Sequence, residues 1–122
     1  MGTIITNTPA TADEIKYFLK EIKFSISDDF VDFFKESNGA EINSEEMYFC
    51  IWSLSEMIEL NIAYNVEEFA SDFFLIGSDG GGNALSIKKD SSFIYEMPFI
   101  GMDNNEAVFK NNSLKMFVEE IL

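Results

Sequence analysis

The chain has 122 residues, a length that suits one domain burying roughly two-thirds of the surface its unfolded form exposes. A hydrophobic fraction of 47%, with 13 Phe against 2 Pro and 7 Gly, excludes a disordered chain. Its 22 acidic residues against 8 lysines, with neither arginine nor histidine, give a formal charge of −14 that excludes nucleic acid and anionic membranes as partners.

The same field draws in cationic partners and weakens with salt. The competing reading is that surplus acid only keeps an aromatic-rich domain dispersed. Met1 to Ala10 lacks the basic start and apolar centre of a signal peptide, and no apolar run approaches the roughly 18 residues of a membrane span. A cytoplasmic protein is expected, with residues 1–10 as a lead ahead of one domain over 11–122.

Within that domain, Thr11 and Glu14 form a capping box, and Ile15, Phe18, Leu19 and Ile22 follow at the spacing of one helical face. A second helix starts at Ser27, with Asp28 and Asp29 against the positive end of its dipole and Phe30, Phe33 and Phe34 facing inward; Asn38 and Gly39 stop it. A short strand around Glu41 to Asn43 precedes one over Met47 to Trp52, in which Cys50 reads as a small core residue. Ser53 and Glu56 repeat the capping box for a third helix carrying Leu54, Met57 and Ile58 and ending near Asn61. After the acidic stretch Asn65 to Asp72, the run Phe73 to Ile76 reads as a strand buried on both faces, with Ala84 to Ile87 as its neighbour. Further strands are expected at Phe93 to Met97 and Ala107 to Phe109, then a last helix from Ser113 carrying Leu114, Phe117, Val118 and Ile121. This order predicts an α+β fold: a single antiparallel-rich sheet with helices mainly on one face and N- and C-terminal helices flanking it.

Between two of these strands lies Gly77-Ser78-Asp79-Gly80-Gly81-Gly82-Asn83. A phosphate-cradling loop would lead into a helix, whereas Ala84 to Ile87 alternates like a strand and no Gly-Lys-Ser/Thr is present. Two readings stay open: a connection in which Gly supplies positive φ while Asp79 and Asn83 bond local backbone, and a side-chain-poor contact surface.

At this segment the chain resembles the SUKH superfamily, which includes bacterial immunity proteins and the yeast Smi/Knr cell-wall regulators. Phe74 to Asn83 matches the family's strand ending in a Gly-(Asp)-Gly-Gly-Gly-Asn turn. Phe30 to Gly39 matches its early helix ending in Asn-Gly, and Ser113 to Leu122 its terminal helix. The sequence departs from the family at Ile26-Ser27, where Leu-Pro is usual, and at Ala40, where a second Gly is usual. The resemblance implies a protein-binding domain, either an immunity protein neutralising a cognate polymorphic toxin or a regulatory or scaffolding module.

Enzyme readings fare worse. Without histidine, a Ser-His or Cys-His nucleophile is impossible and the commonest zinc or iron ligand is missing. Ser86 and Lys89 stand three residues apart on a strand, on opposite faces. Pairs such as Glu45-Glu46 and Glu67-Glu68 lack the alternation of a calcium loop. No catalytic residue, metal or cofactor is therefore expected. The expected partner is a protein, a basic toxin domain, met by Glu67, Glu68, Asp72 and Asp79 around the turn Gly80, Gly81, Gly82 and Asn83, with Trp52 as an aromatic anchor.

Overall fold

Hydroxyl side chains set the helix starts. In the computed structural model, which describes residues 2–122, α1 (Ala12–Ile22) opens on a reciprocal box: the Glu14 N–H donates to Thr11 Oγ1 at 3.1 Å and the Thr11 N–H to Glu14 Oε1 at 2.9 Å. Ser27 caps α2 (Asp28–Glu36) through the Phe30 N–H. The Ser53 and Glu56 pair caps α3 (Leu54–Ala63), and Ser113 caps α5 (Leu114–Ile121) through the Met116 N–H. Two elements carry no sequence signal: β1 (Thr3–Thr6), within the segment expected to be a lead, and the single helical turn α4 (Val66–Phe69) inside the acidic stretch. Met1 of that lead lies outside the described residues.

The remaining strands are β2 (Ala40–Asn43), β3 (Tyr48–Ile51), β4 (Phe73–Ser78), β5 (Asn83–Lys88), β6 (Ile94–Pro98) and β7 (Val108–Asn111). All seven form one antiparallel sheet in chain order, β1 through β7. The fold is thus the expected α+β class. Strand alternation divides the apolar residues between two clusters. Ala40, Ile42, Phe49, Ile51, Phe74, Ile76, Leu85 and Ile87 share one with Phe18 of α1, three phenylalanines of α2, Leu54 and Met57 of α3, and Phe117 of α5. Phe73, Leu75, Ala84 and Met97 face the other way and pack with Val66 of α4 and with Met102. The double-sided burial expected of Phe73 to Ile76 follows from this arrangement. Cys50 is only half-buried, because alternation turns its neighbours Phe49 and Ile51 inward.

The end of α2 departs from a glycine C-cap. Ser37 caps it with extended backbone, and Gly39, at φ 93°, sits where a Cβ would press on the Ile51 carbonyl oxygen and the Trp52 and Ser53 backbone. Glycine is needed there for the approach of two backbones. Asn38 has a separate task, its Oδ1 accepting the Leu54 N–H at 2.9 Å at the start of α3.

The sheet comes apart between β3 and β4, which pair only at Cys50 with Ser78 and Ile51 with Gly77. The C-terminal half of α3 enters the opening. There Asn61 takes the place of a neighbouring strand: its Oδ1 accepts the Leu75 N–H at 2.8 Å, and its Nδ2 donates to the Leu75 carbonyl at 2.8 Å and to the Met57 carbonyl at 2.8 Å. Asn61 falls seven residues after Leu54 on the stripe of Met57 and Ile58, so it holds an apolar position with a polar group.

Candidate functional site

The glycine-rich turn joins β4 to β5 and is ordered by its own polar groups. Asp79 accepts from the Gly81 N–H at 2.8 Å, the Asn83 N–H at 3.2 Å and Asn83 Nδ2 at 3.3 Å, while Ser78 Oγ accepts from the Gly80 N–H at 2.9 Å. Gly80 adopts φ 81° and lies against the Tyr48 ring. The Gly82 carbonyl takes the Phe99 N–H at 2.9 Å, whereas a Cβ on Gly82 itself would meet nothing within 4 Å. The turn is therefore a fixed backbone with a bare outer surface. β5 follows it directly and no helix does, as the sequence argument against a phosphate loop requires.

Aromatic rings continue the surface. Phe99 lies 4.9 Å from Tyr64 and 6.4 Å from Trp52, centroid to centroid. Trp52 is half-buried and touches both apolar clusters, and Tyr64 is exposed. On the other flank, the Tyr48 hydroxyl donates to Glu41 at 2.8 Å. That carboxylate, aided by partial burial and by Cys50, pushes Tyr48 from its ordinary 10 up to about 12. Burial and then the Glu41 charge push the Cys50 thiol up as well, which makes it a poor nucleophile. The folded state holds the Tyr48 proton more tightly than the unfolded chain does. The associated stability is therefore present below pH 10 and lost as pH rises from 10 towards 12. An ultraviolet titration is expected to show tyrosine absorbance still rising towards pH 12, and Glu41→Gln to remove that late step; identical curves for the parent and Glu41→Gln would refute the assignment.

The residues expected to meet a partner do not lie in one place. Asp79 to Asn83, with Trp52 near them through Phe99, stand at the end of β4. Glu67 and Glu68 on α4, together with Asp72, stand at its beginning. Six residues of strand separate Asp72 from Asp79, about 20 Å at ~3.3 Å per residue. Adjacency in sequence gave no warning of this, because the intervening residues are extended. Asp72 is exposed, and its N–H donates to Asn104 Oδ1 at 3.1 Å.

Beside Glu67 and Glu68 lies a groove of about 880 Å³, bounded by the end of α1, the second half of α3, α4 and the start of β4. Its apolar walls come from Ile22, Phe24, Ile58 and Ile62, with Phe73 and Phe74 behind them. Lys89 reaches its mouth, with Nζ 2.7 Å from Glu67 Oε2 and 5.7 Å from the centre of the Phe24 ring. Ser86, the suggested partner of Lys89, is buried and donates instead to the Tyr95 carbonyl at 3.2 Å. Among the described residues, no cluster of three or more acids and cysteines is arranged to hold a metal, and no helix is long and apolar enough to cross a membrane.

No curated protein matches the chain. A family model does: that of the SMI1 / KNR4 family (SUKH-1), over residues 9–120. The match takes in α1 to α4, α5 but for its last residue, and every strand but β1, including the turn and the groove. The chain belongs to the SMI1 / KNR4 (SUKH-1) family.

Proposed function

We propose that this domain acts by binding a protein, as an immunity-type inhibitor that occludes the active site of a basic toxin domain. The observation that carries the reading is the turn from Asp79 to Asn83. Its backbone is fixed by internal hydrogen bonds, its outer face at Gly81 and Gly82 is bare, and Trp52, Tyr64 and Phe99 border it. A surface already ordered before contact loses little conformational freedom on binding, and tryptophan and tyrosine are the usual energetic anchors. The charge of −14 supplies attraction for a basic partner. Glu67, Glu68 and Asp72 then act as a second, separate patch steering the encounter.

The test is capture of partners on the immobilised protein at low ionic strength, with elution by rising salt and identification by mass spectrometry. A basic toxin domain released by salt, whose activity the protein suppresses, is the expected result. Removing charge with Glu67→Gln, Glu68→Gln, Asp72→Asn and Asp79→Asn together is expected to flatten the salt dependence. A neutral cellular partner indifferent to salt would instead make the domain a regulatory or scaffolding module and reduce its acidic surface to a solubility device.

A further inference from the structure

Lys89, the residue after β5, has its side chain held at the mouth of the groove. Its side chain is only 25% exposed, clamped between the Glu67 carboxylate and the face of the Phe24 ring at the mouth of the groove. Carboxylate on one side and aromatic face on the other is the recognition chemistry for an organic cation. The site is thus a cation subsite whose occupant is the protein's own ammonium group. Beside it lie the apolar walls of Ile22, Ile58 and Ile62, the last 72% exposed, with Glu21 and Glu68 on the rim.

We infer that the groove receives a segment of the basic protein partner, which lays an apolar side chain against Ile58 and Ile62 and places a neighbouring arginine between Phe24 and Glu67, displacing Lys89. This rests on the protein-binding reading above and adds to it a second contact surface with a stated chemistry. Charge complementarity favours this occupant: Glu21, Glu67 and Glu68 outnumber Lys23 and Lys89 around the groove, on a chain of charge −14. Guanidinium is the stronger claimant because it is planar, stacks on rings, bonds carboxylate in two places and is less hydrated than ammonium. The chain has no arginine of its own, so its internal placeholder is the weaker cation. Lys89 also keeps the subsite neutralised while the partner is absent.

The probe is a five-residue acetylated and amidated peptide of alternating leucine and arginine, titrated into the isotopically labelled protein and followed by amide chemical shifts. Shift changes are expected at Glu21 to Phe24, Asn65 to Glu68 and Lys89. Lys89→Gln is expected to tighten binding about fivefold, the scale of one exposed cation–ring contact. Lys115→Gln, which removes the same charge outside the groove, should produce a much smaller change. Glu67→Gln and Ile62→Ser, both at well-exposed positions, should weaken binding. Shifts scattered over the acidic surface, or equal effects of the two lysine variants, would overturn the inference. Partner capture fails separately. A captured basic protein that binds Glu67→Gln and Lys89→Gln as it binds the parent overturns the groove assignment alone, whereas peptide binding in the groove with no captured protein upholds the subsite and sinks the inhibitor reading.

Discussion

Gly77→Ala is expected to cost about 3 kcal/mol or more and to lower the melting temperature by roughly 10 °C. A Cβ on Gly77 would overlap the Cys50 carbonyl oxygen and crowd the Ile51 Cα. Both are backbone atoms, so no side chain can turn aside to make room. The clash falls on one of the two residue pairs that, with the bond from the Trp52 N–H to the Ile76 carbonyl, hold β3 to β4, so relief by backbone movement would strain this narrow junction between the two halves of the sheet. Gly82→Ala, five residues along in the same glycine-rich segment, adds its methyl to open space and should stay within about 0.5 kcal/mol. Thermal or denaturant unfolding of the two variants checks this; equal stabilities would mean that the close approach of β3 and β4 is not as described.

Asn61→Ala should be nearly as damaging. It removes hydrogen bonds from the Leu75 N–H and carbonyl and from the Met57 carbonyl, and Leu75 has no exposed surface. With roughly 1–3 kcal/mol for each buried polar group left unsatisfied, and some relief from water entering through the adjacent groove, a loss of about 2–4 kcal/mol is expected. Asn61→Asp separates hydrogen bonding from shape. It keeps the acceptor for the Leu75 N–H but turns a carboxylate oxygen toward two carbonyls, so it should be at least as destabilising as alanine. Accelerated exchange of the Leu75 amide would locate the damage in Asn61→Ala. If Asn61→Asp proved as stable as the parent, side-chain volume alone would be what matters here.

Asn61 also marks the boundary of what could be read from the sequence. Local signals carried through: the capping boxes at Thr11 and Ser53, the caps at Ser27 and Ser113, and the apolar run Phe73 to Ile76 each specify structure through atoms a few residues apart. The resemblance in the glycine-rich segment and the two flanking helices led to the family. Strand β1 escaped because its four residues are all exposed and show no alternation, and its pairing is with Ala40–Asn43, far along the chain. Helix α4 escaped because it is one turn long and begins from Asn65 in the left-handed region at φ 53°. The role of Asn61, the cation position of Lys89 and the separation of the nominated acids all depend on how the chain returns on itself. For Asn61 alone a hint existed, a polar residue on an apolar stripe.

Strand order has a consequence for how this protein is made. Because the sheet runs β1 to β7 in the order of the chain, each strand leaving the ribosome finds its partner already synthesised and adds to a growing edge. The helices wait longer: Phe18 of α1 packs on Phe74 of β4, 5.9 Å away, and α5, made last, seals the core by packing its Phe117 on Phe49 of β3, 5.1 Å away. A chain that assembles as it emerges leaves few unpaired strand edges exposed during synthesis, which limits the interval in which it can aggregate.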